Sequence, residues 1–226
     1  MKNNPLIAIC LMFLAGSVIL AQNGRGKDQI FPVIPEDYGE APTLFKEIEG
    51  LHSLFKFDEA RNKMKSLVTR YPDVQKMRPY RMMVSDLNII GKQAGDLKVK
   101  TWFQGETDLE SFPVTLLVWW EAWCPHCQDE LPKLEQVYRK QKDRGLNIIG
   151  VTRVMDSSNT AVFAFIGERD ITFPILKEPG EMATHYGVDG VPAAAIVKGG
   201  TIIWRGKPSA ISEETLEIAL KDVAPE

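Results

Sequence analysis

The chain has 226 residues, of which 44% are hydrophobic and 25% are charged. Its 27 basic and 30 acidic residues give a net charge of −3, so no overall positive field attracts phosphate and nucleic acid is not expected as a partner. The chain has only three cysteines and is long enough to bury a sizeable apolar core, so a small scaffold held together by disulfides is excluded.

The N-terminal segment is typical of an export signal. Lys2 precedes sixteen uncharged, mostly apolar residues at 6–21, and the chain becomes polar immediately afterwards. This run is closer in length to the core of a signal peptide than to a bilayer span of about 20 residues. We therefore expect residues 1–21 to direct export to the periplasm or another extracytoplasmic location, either with cleavage after Ala21 or with the segment retained as an anchor.

A linker and a small helical unit are predicted next. Residues 22–42 are rich in glycine, proline and polar residues without a sustained period, which indicates a linker. Residues 43–90 carry apolar side chains at helical spacing, which predicts an all-helical unit of three helices. Thr43 and Asp58 are the expected N-caps of the first two helices, and Gly91 is the expected stop of the third. The three apolar stripes are Leu44, Ile48, Leu51 and Phe55; Ala60, Met64, Leu67 and Val68; and Met77, Tyr80, Val84 and Leu87.

Part of this unit resembles one helical hairpin of a tetratricopeptide repeat, with FDEA at 57–60 and YPDV at 71–74. A single partial copy is weak support, because such solenoids need about three repeats to bury a continuous core. We therefore favour packing of the helices at 43–90 on the domain that follows. Contact with another protein through these helices is the alternative.

Residues 91–226 have the alternating pattern of an α/β domain. The order of predicted elements is β-α-β-α-β-α-β-β-α, which implies a central mixed sheet with helices on both faces. The first strand is a continuous apolar run, as expected for a strand that is covered on both sides. The strands are predicted at 115–120, 147–154, 171–176, 193–197 and 201–205, and the helices at 128–144, 160–168, 181–186 and after Ser212 as N-cap.

The motif that carries chemistry is Cys124-Pro125-His126-Cys127, which follows the first predicted strand and opens a helix. Backbone N–H groups and the helix dipole favour negative charge there, so we expect Cys124 to be a thiolate nucleophile and Cys127 to resolve the mixed disulfide. His126 adds a hydrogen-bond donor or a positive charge, and Pro125 suits the first helical turn. The third cysteine, Cys10, would be removed with the signal segment.

Three motifs together resemble the thioredoxin superfamily: WCPHC at 123–127, ELP at 130–132 and GVDGVP at 187–192. The spacing between the first and last motifs resembles that of the exported TlpA/ResA branch. The resemblance implies a thioredoxin-like fold and a thiol-disulfide oxidoreductase whose redox pair is the two cysteines of the first motif. It also implies protein thiols or disulfides as substrates and a membrane-bound or soluble redox partner, and it implies no organic cofactor.

The same resemblance implies a second part of the site. It implies that the bond between Val191 and Pro192 is cis and lies beside the cysteines, where Val191 offers its backbone to a docking substrate chain. The Pro125-His126 dipeptide resembles that of DsbA-type oxidants, and not the one usual in the TlpA/ResA branch. Both directions of electron flow therefore stay open.

Three tryptophans surround the motif. Trp119 and Trp120 belong to the apolar strand and point to opposite faces of the sheet, so we expect both in the core. Trp123 abuts Cys124 and is the one that we expect to contact a substrate.

The proton acceptor for the resolving cysteine is not obvious from the sequence. Many thioredoxins carry a buried aspartate six residues before the first cysteine, but Val118 stands at that position here. Glu121 and Glu130 are the candidate acceptors, and water is the alternative.

A metal site is the main alternative use of two cysteines at this spacing. Zinc needs four ligands, and the chain has no second C-x-x-C and only three histidines, so no metal is expected. The alternative function is a Cu(I)-binding module, like a metallochaperone, with Cys124 and Cys127 as ligands and help from Met77, Met82 or Met83. Methionine at helical spacing usually fills a core, so disulfide exchange is favoured.

Overall fold

The structure is a computed structural model that describes residues 34–153 and 155–221. The predicted signal segment at 1–21 lies outside the described residues, and so does the linker up to residue 33. No helix within the described ranges is long and apolar enough to cross a membrane. The described residues all belong to one compact unit.

Three helices form the N-terminal part: α1 Ala41–Ser53, α2 Phe57–Arg70 and α3 Arg78–Ile89. The prediction of their N-caps was wrong, because Thr43 and Asp58 both lie inside helices. Pro42 fits the first turn of α1, where its missing N–H has no helical partner to lose. Asp58 instead lies in the first turn of α2, where its charge complements the helix dipole.

The three helices share an apolar core. Most of the predicted stripe of α2 is buried there, but the residues that α3 adds to this core are Met83 and Leu87, while Tyr80 and Val84 of its predicted stripe are only partly buried. Helix α3 also contacts the sheet, because Ile89 at its end packs into an apolar cluster there. The core consists of Ile34, Ala41, Phe45, Ile48, Ala60, Met64, Leu67, Val74, Met83 and Leu87.

A six-stranded mixed sheet follows, in the spatial order β1-β4-β3-β2-β5-β6. Strands β2, β3 and β4 run parallel, whereas β1, β5 and β6 are antiparallel to their neighbours. The strands are β1 Thr101–Gln104, β2 Val114–Trp119, β3 Leu146–Thr152, β4 Ile175–Lys177, β5 Ala193–Lys198 and β6 Thr201–Gly206. The predicted mixed sheet is confirmed.

Two strands differ from the sequence prediction. β1 was missed because it is a four-residue edge strand in which only Phe103 is buried. β4 is shorter than the predicted strand at 171–176. The carbonyls of Ile171 and Phe173 accept instead from the side-chain amide of Gln104, at 2.9 and 2.7 Å. These two carbonyls therefore have hydrogen-bond partners without a neighbouring strand.

Helices cover both faces of the sheet. The helices of this part are α4 Pro125–Gln141, α5 Asn159–Glu168, α6 Glu181–His185 and α7 Glu213–Leu220. Helices α4, α5 and α7 pack in the apolar cluster that contains Trp120, whereas α6 and the end of α3 pack in the cluster that contains Trp119. The prediction that these two tryptophans face opposite sides is therefore confirmed. Ser212 caps α7 as predicted, since its hydroxyl accepts from the backbone N–H of Thr215 at 3.1 Å.

The helical segment formed by α1, α2 and α3 packs against the sheet through His52. This side chain of α1 is buried, and its ring lies 5.4 Å from the ring of Trp204 on β6 and 5.6 Å from that of Phe57. Burial lowers the pKa of His52 from its ordinary value of 6.5 to about 4, although a backbone hydrogen bond with Arg205 acts in the opposite direction. The folded protein therefore holds this imidazole neutral.

Stability is expected to depend on pH through His52. In the unfolded chain the imidazole takes up a proton as the pH falls through 6.5, whereas in the folded protein it does so only near 4. The unfolded state binds more protons between these values, so the free energy of unfolding decreases as the pH falls, by about 3 kcal/mol at most. Urea titrations across this pH range measure the decrease.

The variant His52→Gln is the control, because glutamine does not titrate. The stability advantage of the wild type over this variant should shrink as the pH falls from neutral towards 4. Asp86 acts in the opposite sense, since burial raises its pKa to about 6 and the folded state binds its proton first, but this effect is common to both proteins. An advantage that is constant with pH would contradict a neutral, buried His52.

Candidate active site

Strand β2 leads directly into the Cys-Pro-His-Cys motif, and α4 begins inside it. Cys124 is the N-cap of α4, with φ −87° and ψ 112°, and Pro125 occupies the first turn. The backbone N–H of Cys124 donates to the carbonyl of Glu121 at 3.0 Å, and the N–H of Gln128 donates to the carbonyl of Cys124 at 3.1 Å. The first cysteine therefore lies where the helix N-terminus favours negative charge, as predicted.

The two cysteines have different surroundings. Both are free cysteines in the structure, and Cys124 is 5% exposed whereas Cys127 is completely buried. Burial is the largest cause that raises the pKa of the Cys127 thiol, and the hydrogen bond with Cys124 raises this pKa further. Cys127 is therefore a protonated thiol at neutral pH that can donate to the sulfur of Cys124.

The loop before β5 completes the site. The peptide bond between Val191 and Pro192 is cis, as expected, and the sulfur of Cys124 lies 3.9 Å from the carbonyl oxygen of Val191. The antiparallel pairing of β5 with β2 explains this proximity, because Ala193, the first residue of β5, pairs with Trp119, the last residue of β2. Two segments that are far apart in the sequence therefore meet at one sulfur atom.

Glu121 is one of the two predicted candidates for the proton acceptor, and it is fixed beside the cysteines. Its carboxylate accepts from the hydroxyl of Thr152 at 3.0 Å and from the backbone N–H of Arg153 at 2.9 Å. Glu121 is only 8% exposed. Its backbone hydrogen bond lowers the pKa of Cys127, whereas its charge is the last of the causes that raise this pKa, after burial and Cys124.

Glu130, the other candidate, is engaged elsewhere. Its carboxylate accepts from the ammonium of Lys133 at 2.9 Å, one turn further along α4. Val118 lies in the same apolar cluster as both cysteines, so that position supplies no acid.

Thr152 and Arg153 also contact the Glu121 carboxylate, although neither is among the predicted site residues. They lie beside Glu121 because β3 runs parallel to β2, with Val151 paired to Trp119, so that both strands end at the same edge of the sheet. The sequence carries a sign of their position, because these two polar residues stand at the carboxyl end of β3, and β3 is the neighbour of the strand that leads into the motif.

The remaining predicted residues fall into two groups. Trp123 is 72% exposed next to Cys124, and His126 lies partly buried in the first turn of α4. Met77 and Met83, by contrast, pack in or against the helical core, away from the apolar cluster that contains both cysteines. Within the described ranges, no group of three or more His, Cys, Asp or Glu side chains is arranged to hold a metal ion. Met77 and Met83 therefore belong to a different apolar cluster from the two cysteines that the copper alternative would use as ligands.

Comparison with solved structures shows the fold. A thiol:disulfide interchange protein DsbE from Chlorobium tepidum superposes with a TM-score of 0.51 at 23% identity, over 58% of this chain and 97% of that protein. The thioredoxin domain of a thiol-disulfide oxidoreductase from Bacteroides vulgatus superposes with a TM-score of 0.50 at 20% identity, over 57% of this chain and 97% of that domain. The predicted thioredoxin-like fold is confirmed.

Comparison of sequences shows the family. Residues 90–205 match the AhpC/TSA family. The thiol-disulfide oxidoreductase ResA of Oceanobacillus iheyensis is 31% identical over 121 residues, which are 53% of this chain and 62% of that protein. ResA of Bacillus thuringiensis subsp. konkukian is 31% identical over 140 residues, which are 60% of this chain and 79% of that protein. The chain therefore belongs to the AhpC/TSA family, as a thioredoxin-like enzyme of the thiol-disulfide oxidoreductase class.

Proposed function

We propose that this protein exchanges disulfides with protein substrates through Cys124 and Cys127. The observation that carries the proposal is the asymmetry of the pair: the sulfur of Cys124 lies at a helix N-terminus beside the carbonyl of Val191, and a buried thiol lies one turn behind it. A nucleophile with a neighbouring resolving thiol is the minimum that thiol-disulfide exchange requires.

The exchange takes place in two steps. In the reductive direction, the Cys124 thiolate attacks one sulfur of a substrate disulfide, which forms a mixed disulfide and releases the other sulfur as a thiolate. Cys127 then loses its proton and attacks the sulfur of Cys124, so that the bond within the pair forms and the mixed disulfide breaks. Two electrons pass from the pair to the substrate, whose two thiolates take up protons. The oxidative direction is the same sequence in reverse.

Glu121 is the proton acceptor in the second step. Because the pKa of Cys127 is raised, this thiol needs a base before it can attack, and the charge of Glu121 already acts on it. The hydroxyl of Thr152 and the backbone N–H of Arg153 both donate to this carboxylate, which keeps it in place during the exchange. His126 has a supporting role: a donor or positive charge in the first helical turn favours the thiolate of Cys124.

Trp123 is the main side-chain contact for a protein substrate. Replacing Trp123 by alanine is expected to raise the KM for a folded disulfide substrate by about tenfold. The reason is that large aromatic side chains supply much of the binding energy at interfaces between proteins. Steady-state kinetics give the KM, and the alkylation rate of Cys124 with a small reagent tests the sulfur itself.

Trp123→Phe is the matched control, since it keeps an aromatic ring at the same position. It should retain most of the affinity, and both variants should alkylate at the wild-type rate. An unchanged KM in Trp123→Ala would contradict the proposed contact.

The proposed function is tested by the reduction potential of the pair together with a direct exchange assay. The wild-type chain should reduce insulin or refold a scrambled disulfide protein much faster than buffer alone. Equilibration with glutathione buffers gives the reduction potential of the pair. A potential of about −270 mV would identify the protein as a reductant, and one of about −120 mV would identify it as an oxidant. A chain that leaves both protein substrates unchanged would overturn the proposal.

The exchange takes place outside the cytoplasm. The support for this part of the proposal is the apolar segment at 6–21 and the polar residues that follow it. Mass spectrometry of the protein from its native source should find an N-terminus at Gln22 in an extracytoplasmic fraction, or the uncleaved chain in the membrane fraction. Full-length protein in the cytosol would contradict the proposed location.

A further inference from the structure

Arg205 on β6 is a buried cation that the exchange chemistry does not use. Its side chain is only 6% exposed, and its guanidinium donates to four backbone carbonyls. Nε donates to Tyr186 at 2.9 Å, Nη2 to Gly187 at 3.2 Å, and Nη1 to Gly206 at 2.8 Å and to Ala194 at 3.4 Å. Only a planar fork with five N–H groups can serve so many acceptors at once.

Three of these four carbonyls lie at the two ends of one loop, and the fourth, that of Gly206, directly follows Arg205 on β6. Tyr186 and Gly187 immediately precede residues 188–193, and Ala194 immediately follows them. The loop between these two ends contains Val191, whose carbonyl lies beside the sulfur of Cys124. Arg205 therefore ties together the two ends of the loop that reaches the reactive sulfur.

Helix α3 of the helical segment also contacts this loop and Arg205. The carboxylate of Asp86 on α3 lies 3.4 Å from the guanidinium of Arg205. A Cβ added to Gly187, which has a φ of +61°, would lie 3.3 Å from Ile89 and 3.4 Å from Ser85, so α3 packs directly on the start of the loop. A Cβ on Gly190 would lie 3.8 Å from the guanidinium of Arg78. Four residues of α3 thus border this loop or its anchor.

We infer that Arg205 and Asp86 are positioning residues that hold residues 188–193 in the shape in which the backbone of Val191 meets a substrate chain. The inference rests on the proposed disulfide exchange and deepens it, because it gives the helical segment a part in substrate binding. Arg205 and Asp86 both act through the loop.

The electrostatics agree with a role in positioning. Burial raises the pKa of Asp86, and it is also the largest cause that lowers the pKa of Arg205, so desolvation opposes both charges of the pair. A buried ion pair of this kind is weak evidence for a gain in stability, since apolar residues often serve equally well. An apolar replacement could not provide the hydrogen bonds that Arg205 donates to the ends of the loop.

The experiment compares Asp86→Asn and Arg205→Lys with the wild type in the full chain. The asparagine keeps the shape of Asp86 without its charge, and the lysine keeps the charge of Arg205 without its fork. Both variants should lower kcat/KM for a folded disulfide substrate by about 10- to 100-fold, mainly through KM, as expected for a displaced binding loop. The alkylation rate of Cys124 and the potential of the pair should stay at the wild-type values.

Arg144→Lys is the matched control. Arg144 also makes a two-pronged contact, with the carboxylate of Glu217 at 2.6 and 2.8 Å, but both side chains are about half exposed and neither lies near the loop. This variant should keep the wild-type KM. If Arg205→Lys does not fold, Asp86→Asn decides the question alone.

Hydrogen exchange gives an independent readout of the loop. Amides of residues 188–194 should exchange faster in Asp86→Asn, while those of α4 should not change. A wild-type KM together with unchanged loop exchange in this variant would overturn the inference. A wild-type chain without exchange activity would instead overturn the proposed function, and the loop amides would still report whether the ion pair fixes the loop.

Discussion

Replacing Cys124 by serine is expected to abolish disulfide exchange. A hydroxyl is not ionised at neutral pH, even at a helix N-terminus, so the variant has no nucleophile to attack a substrate disulfide. Cys127 cannot replace it, because it is completely buried and its pKa is raised. Insulin reduction, followed by mass spectrometry of the alkylated chain, measures both the activity and the state of the remaining thiol.

Cys127→Ser is the matched control, because it removes the resolving sulfur and leaves the nucleophile. This variant should accumulate a mixed disulfide between Cys124 and the substrate, which non-reducing electrophoresis detects as a new covalent species. The serine variant at position 124 should form no such species. Exchange at the wild-type rate in Cys124→Ser would refute the assignment of roles within the pair.

Replacing Glu121 by glutamine is expected to slow the resolution of the mixed disulfide by about 10²-fold or more, as the loss of a general base does elsewhere. The amide keeps the size of the side chain and can still bond to Thr152 and Arg153, so the change mainly removes the proton acceptor. Rapid-quench measurements of the decay of the mixed disulfide give the rate. The rate in the variant should recover as the pH rises, because hydroxide then removes the proton of Cys127.

Glu130→Gln distinguishes a specific base from a general loss of negative charge. Since Glu130 pairs with Lys133, its variant should resolve the mixed disulfide at nearly the wild-type rate. Equal slowing in the two variants would show that neither carboxylate has a specific role, and wild-type resolution in Glu121→Gln would leave water as the acceptor.

Much of this site is encoded locally and can be predicted from the sequence. The apolar run of β2, the C-x-x-C at the start of α4 and the capping Ser212 of α7 each depend on neighbouring residues alone. The opposite directions of Trp119 and Trp120 follow from the alternation of side chains along a strand.

Other features depend on how distant segments meet, and no local pattern of residues indicates them. The proposal of Glu121 rather than Glu130 as proton acceptor rests on the parallel pairing that brings Thr152, 31 positions further along the chain, beside Glu121. The link from Asp86 to Arg205 spans an even longer separation, and the extent of β4 depends on a side chain of the edge strand. Such contacts are fixed by packing after the sheet has formed.

The complete burial of Cys127 also has a consequence for damage by peroxide. We expect a peroxide molecule to react first at Cys124 and to leave a sulfenic acid there, with which the neighbouring thiol would condense to give a disulfide and water. This condensation would compete with further addition of oxygen, so the irreversible sulfinic and sulfonic acids should form slowly. The inner sulfur is thus expected to protect the pair against overoxidation.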